Sequence, residues 1–184
     1  MAGSGKSTAA KRLAKRYGLR YCSGGDALKA LASEMGYDTD KQGWWESQEG
    51  MKFLRLRTEK PEFDKKVDMK LLEWAEKGDV VLDSRTMPWL LERGFKIWLE
   101  ASEEVRTSRI ANRDGLTFEE ALRYLREKES RTKEIYRRLY GFDLGEDLAP
   151  FDLILDVNLL EKHETFQTLC MAIENLVLGK RKDH

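Results

Sequence analysis

The opening octet, Met1-Ala2-Gly3-Ser4-Gly5-Lys6-Ser7-Thr8, constrains the fold more than any other stretch. It reads as the back half of G-x-x-x-x-G-K-[ST], a glycine-rich loop that passes into a helix. Small residues at Ala2, Gly3, Ser4 and Gly5 let backbone N–H groups turn inward on nucleotide phosphates. A helix opening at Lys6 adds its unpaired N–H groups and positive dipole end. Lys6 brings a point charge to the β- and γ-phosphate oxygens, and the Ser7 hydroxyl, followed by Thr8, suits Mg2+. Such a loop normally follows a buried strand. The motif's first glycine falls one position before Met1, so that central strand is expected upstream of the given chain. Met1 is then expected to be internal to the loop. A sheet lacking that strand would leave its neighbours with unpaired backbone groups beside an open slot.

Downstream, strand-length apolar runs alternate with helical patterns. Lys6–Tyr17 reads as a helix closed by Gly18, with Lys15 and Arg16 at its negative dipole end. A short strand near 20–23 meets Gly24-Gly25-Asp26, where Asp26 is the expected N-cap of a helix to Met35. Residues 37–63 hold Gly43, Gly50, Pro61 and the pair Trp44 and Trp45, and read as helical pieces in a mobile lobe. Both tryptophans are expected in the core. A helix over 64–77 stops at Gly78. Val80-Val81-Leu82, Ile97-Trp98-Leu99 and Leu153-Ile154-Leu155 are continuous apolar runs of the buried, parallel kind. Ser102 opens one helix, and Thr117 with Glu120 forms a capping box for a long charged one to about Leu139. Residues 161–178 form a closing amphipathic helix, and Gly179–His184 a polar tail expected to fray. The alternation predicts an α/β fold, a parallel sheet covered by helices on both faces. With the phosphate loop ahead of the first helix, this is a P-loop kinase-like domain.

Composition narrows the partners. The chain has 184 residues, which suits one domain. Charged residues make up 36%, yet 33 basic and 33 acidic side chains cancel, giving no general reason for nucleic-acid or membrane-surface binding. Cys22 and Cys170 lack metal-type spacing and point to a reducing cytoplasm. His163 and His184 are too few for a histidine-based metal site, and no apolar run reaches membrane-spanning length. A monomer is the simpler expectation.

Several side chains carry candidate chemistry. Asp83 ends an apolar strand and can hold Mg2+, directly or through water, or simply cap the next turn. Arg85, two residues on, can grip a phosphate or carboxylate with two parallel bonds, or sit in a surface ion pair. Arg106, Arg109 and Arg113 share one helical face, and Arg123, Arg126, Arg131 and Lys133 follow. Arginines on a closing lid neutralise a transferring phosphoryl group and exclude water. Arg109, Arg113 and Arg131 are the candidates, against the reading that interleaved glutamates make this a solvated face. Asp64 and Asp68, spaced i, i+4, can accept from a ribose hydroxyl or an exocyclic amine, or can be first-turn dipole partners.

Taken together, the phosphate loop, Ser23-Gly24-Gly25-Asp26, the segment Pro61–Asp68 and Val81-Leu82-Asp83-Ser84-Arg85 resemble the archaeal-type cytidylate kinases. Trp89, Lys96-Ile97-Trp98-Leu99-Glu100-Ala101, Arg109-Ile110-Ala111-Asn112-Arg113 and Tyr140-Gly141-Phe142-Asp143 extend the resemblance over nearly the whole chain. It implies transfer of the γ-phosphoryl of ATP to CMP, and to dCMP, with Mg2+. It assigns Ala2–Thr8 to ATP, and Ser23, Gly25, Asp26, Asp64, Asp68 and Arg85 to the acceptor. Lys6, Arg85, Arg109, Arg113 and Arg131 are implied in catalysis, and Ser7 and Asp83 in metal binding. Residues 26–77 would be the monophosphate-binding lobe and 106–136 the lid. Lys29 stands where the family tends to have arginine, and Ser84 where it has glycine. The residues themselves leave room for a kinase of another small acceptor, such as AMP, UMP or a non-nucleotide. They also leave room for a nucleotide-binding protein without kinase activity.

Overall fold

Four short strands, β1 (Arg20–Ser23), β2 (Val80–Asp83), β3 (Ile97–Glu100) and β4 (Leu153–Asp156), appear in the computed structural model, which describes residues 1–40 and 42–179. All pair in parallel. Arg20 lies opposite Val80 and Ser23 opposite Asp83, while Ile97 lies opposite Leu153 and Glu100 opposite Asp156. Among the described residues they form two separate ladders, β1–β2 and β3–β4, where a single sheet was expected. No ladder bonds join β2 to β3. A small cavity there is lined by Ser84, Arg85, Ile97, Trp98, Leu99 and Met1. The apolar runs are therefore less covered than strands with neighbours on both edges: Val80, Val81 and Leu82 are half-buried, and Ile154 is 50% exposed.

Helix α1 (Lys6–Tyr17) bridges the two ladders. It packs on β1 and β2, and its Ala9 and Leu13 join Leu99, Val157, Leu169 and Cys170 in one apolar cluster. Helix α2 (Gly24–Glu34) is capped by Ser23, whose Oγ accepts the Asp26 N–H at 3.0 Å. Asp26 is thus a first-turn residue, not the cap expected from the sequence; the helix starts earlier because β1 runs straight into it. Trp44–Glu46 form a 3-10 turn leading to α3 (Gln48–Glu59). Helix α4 (Glu62–Glu76) begins directly after Pro61. Met87–Leu90 make the short helix α5, which has too few residues for a periodic signal. Helices α6 (Glu103–Asp114), capped by Ser102, and α7 (Phe118–Tyr140), with the Thr117–Glu120 capping box, follow the sequence reading. Helix α8 (Lys162–Ile173) continues into a π-helical stretch, Glu174–Leu178. Most of the expected frayed tail, 180–184, lies outside the described residues.

Trp44 is buried in a cluster with Phe53, Leu71 and Met87, and Trp45 packs at its edge. This cluster seats α2, α3 and α4 around the end of β2. The turn before α3 is held tightly. A Cβ at Gly50 would stand 2.1 Å from the Trp44 carbonyl oxygen, a backbone atom that cannot rotate away. Gly50→Ala is expected to push the 44–46 turn off α3 and to cost about 1–3 kcal/mol, as overpacking usually does. Urea unfolding measures this; an unchanged midpoint would show that the turn moves freely.

Candidate active site

The loop's conformation depends on two glycines. Gly3 (φ 76°) and Gly5 (φ 89°) adopt left-handed backbone angles. At Gly3 any Cβ would also meet the Arg106 carbonyl oxygen at 2.7 Å. Arg106 braces the loop from behind: it is buried, donates from Nε to the Ala101 carbonyl (3.0 Å) and from Nη1 to the Ala2 carbonyl (3.3 Å), and pairs with Glu129. Ser4 Oγ donates to the Met1 carbonyl at 3.0 Å. In front, α1 begins with no side-chain cap and no acidic residue in its first turn, so its N–H groups are left for an anion.

Lys6 forms an ion pair with Asp83, the buried residue ending β2. The other Asp83 oxygen accepts from the Tyr21 hydroxyl at 2.8 Å. Oδ1 has no neighbour in hydrogen-bonding position apart from the Lys6 ammonium. Burial first, then the Arg85 charge, pulls the Lys6 pKa downward, and Asp26 opposes them. Asp83 and the Ser7 hydroxyl offer oxygen donors at the mouth of the loop. No cluster of three or more His, Cys, Asp or Glu that could cage a metal occurs among the described residues. Two oxygen donors fit Mg2+ carried on phosphates, which keeps most of its ligands from water and phosphate.

One cleft of about 1160 Å³ joins this loop to the side chains around it. It brings together Ala2–Thr8, Ser23, Gly25, Asp26, Asp64, Asp68, Asp83, Arg85, Arg109 and Arg113. Arg131 is not among its lining residues; it turns back along α7 to Glu127 at 3.1 Å. Arg109 reaches the Val157 and Leu160 carbonyls, 2.7 and 3.3 Å away, beyond β4. Arg113 pairs with Glu46 (3.1 Å) and Asp114 (2.5 Å). Arg85 Nη1 lies 3.4 Å from Thr132 Oγ1 and has no carboxylate partner among the described residues.

The far end of the cleft holds residues that the sequence did not single out. Arg57 clamps Asp64 with two bonds, 3.0 and 2.5 Å, and both side chains are buried. Asp68 accepts from Thr86 Oγ1 at 2.6 Å and from the Tyr140 hydroxyl at 2.8 Å. Both carboxylates thus face inward on donors, and Asp64 also lies in the first turn of α4. Burial pushes Asp68 up from 3.8 to about 6, against the two hydrogen bonds that favour its ionised form. Burial likewise pushes the Tyr136 phenol up. Lys128 also lines the cleft, buried on α7 with its ammonium 2.7 Å from Glu46. One signal for it was present: Ala121, Leu125, Lys128, Thr132 and Ile135 form the buried stripe of α7, and a lysine on such a stripe needs a reason.

Glycine loop, free helix start, lysine and acidic strand end facing one cleft of an α/β protein define a phosphotransferase of nucleotide phosphates. The model of the cytidylate kinase-like family matches residues 1–159, and the chain belongs to that family. A protein named cytidylate kinase from Methanopyrus kandleri is 34% identical over 95% of this chain and 90% of its own length. Another of that name from Methanocaldococcus jannaschii is 33% identical, covering 95% of this chain and 94% of its own. The crystal structure of an uncharacterized protein from Eubacterium ventriosum superposes with a TM-score of 0.56 at 19% identity, over 94% of this chain and 92% of that one. That likeness speaks to the fold alone. No described helix is long and apolar enough to cross a membrane.

The Asp68 shift has a measurable consequence. Its folded-state pKa lies above the ordinary carboxylate value, so folding favours the protonated form. Its stability contribution is complete below about pH 4 and is lost as pH rises through about 6. Roughly two units correspond to about 3 kcal/mol. Asp68→Asn is expected to remove this loss, so its urea midpoint should gain on the wild type between pH 4 and 7. Parallel profiles for the two proteins would overturn the assignment.

Proposed function

We propose that the chain transfers the γ-phosphoryl group of ATP to CMP, giving ADP and CDP, with dCMP as a second acceptor. It would act as a monomer in the cytoplasm. The observation that carries this reading is the shared cleft, lined both by the phosphate loop and by the buried Arg57, Asp64 and Asp68. Membership of the cytidylate kinase-like family, and relatives named cytidylate kinase, support it.

In this reading the loop amides of Ala2–Thr8 and Lys6 hold the ATP phosphates, Lys6 exchanging Asp83 for a phosphate oxygen. Ser7 and Asp83 would hold Mg2+, which neutralises phosphate charge when bound. Arg85, Arg109 and Arg113 stabilise charge on the phosphoryl group. Arg131, on the same lid and paired with Glu127, would join them as the lid closes. Ser23, Gly25 and Asp26 line the same cleft and would contact the acceptor's phosphate and sugar. Residues 26–77 act as the acceptor lobe and 106–136 as the lid.

Cytosine offers an exocyclic amine beside ring N3 and O2 acceptors. A buried carboxylate can accept from that amine, and the Arg57 guanidinium, fixed by Asp64, can donate to the acceptors. Uracil would set a carbonyl oxygen against the Asp68 carboxylate and leave both unpaired.

A coupled ADP-release assay across CMP, dCMP, UMP, AMP and GMP tests the proposal. CMP should give the highest kcat/KM; turnover of AMP as fast as CMP would sink the substrate assignment. ATP binding without monophosphate-dependent ADP release would point to a nucleotide-binding protein. Asp68→Asn, which can donate as well as accept, is expected to lower the CMP-to-UMP ratio of kcat/KM at least about tenfold.

A further inference from the structure

Lys128 and Glu46 come from different elements and meet inside the cleft. Lys128 is 8% exposed and Glu46 4%. One Glu46 oxygen takes the Lys128 ammonium at 2.7 Å, and the other takes Arg113 at 3.1 Å. The Trp45 ring lies 5.3 Å from the same ammonium. Lys128 feels the positive charge of both Arg85 and Arg113, so three cations face one region. A buried lysine among cations is costly and keeps its charge only with an anion in contact. The anion in contact is Glu46.

A phosphate group meets the same requirement with more charge and more acceptor oxygens. Glu46 is also well placed to yield. It ends the tightly held Trp44–Glu46 turn, so the backbone stays in place and a rotation of the Glu46 side chain alone frees both cations. We infer that Lys128 is a further phosphate-contacting residue of the transfer site, and that Glu46 stands in for a nucleotide phosphate oxygen until nucleotide binds. The inference rests on the phosphoryl-transfer reading above.

The test is a cycle of Glu46→Gln, Lys128→Met and the double variant, each measured in three ways. These are urea midpoint, calorimetric affinity for ATP with Mg2+, and kcat/KM for CMP. Lys128→Met orphans a buried carboxylate, so lower stability and lower activity are both expected. The double variant removes the charges together. It should recover the urea midpoint yet keep a loss of roughly 100-fold in kcat/KM, the scale of removing one donor to a transition-state charge. Glu46→Gln should bind ATP at least about threefold more tightly, because the internal competitor is gone. Lys128→Arg should retain most of the activity. A double variant that recovers turnover along with stability would overturn the inference, since Lys128 would then only neutralise Glu46. Weaker ATP binding by Glu46→Gln would overturn it too. A wild-type protein that releases no ADP with CMP would count against the proposed function instead.

Discussion

Lys6 and Asp83 meet where the first turn of α1 faces the end of β2, and two opposite charges are held there with Asp83 almost out of reach of water. Their contact ties the phosphate loop to the β1–β2 ladder. Breaking it from either side would leave a buried charge without a partner, which typically costs several kcal/mol. The loop is therefore held in shape before any nucleotide arrives. Arg106 does the same from behind, joining the loop to α6 and, through Glu129, to α7. With α1 reaching across to the cluster around Leu99 and Leu169, the two strand ladders are joined through one helix.

The same arrangement recurs around the cleft. Lys6 rests on Asp83, Lys128 and Arg113 on Glu46, and Arg57 on Asp64. Each cation is placed by a carboxylate of the chain itself. Catalysis of phosphoryl transfer asks for positive charge fixed in advance and water kept out. Cations left alone in such a cleft would repel one another and lose charge to burial. Internal carboxylates offset part of that loss and aim the side chains, and in the proposed reading phosphate oxygens take their place. Arg109 rests on the Val157 and Leu160 carbonyls instead, and Arg85 has no carboxylate partner among the described residues, with Thr132 near its guanidinium. It is thus the cation with the least to give up when an anion enters.

Much of this was legible from local pattern. The phosphate loop, the Ser102 and Thr117 caps and the apolar strand runs are signals carried within a few residues of one another. The misses depend on which partner each residue meets, near or far in sequence. Strand runs identify strands but not neighbours, so the pairing into two ladders comes from the structure. Arg57 gains meaning only from Asp64, across the break at Lys60 and Pro61 that separates α3 from α4. Arg131 was chosen by charge alone. Its neighbour Glu127, one turn back, claims it, while Lys128 on the buried stripe turns into the cleft. Spacing on a charged helix does not say which cation has a closer anion of its own.

Asp68 shows how the fold turns an unfavourable burial to use. Placing its carboxylate in the core raises its pKa to about 6, which at neutral pH leaves an ionised group short of solvation. Thr86 and Tyr140 supply two donors, and each oxygen retains further acceptor capacity. A ligand that brings an N–H to this position completes the solvation the protein withholds. One that brings a carbonyl oxygen makes it worse. The penalty for the wrong group is larger than the gain for the right one, because a buried acceptor facing an acceptor loses its water and gains nothing. In the proposed reading, selectivity for an amine-bearing base would follow from this burial, through the one carboxylate whose solvation the fold leaves incomplete.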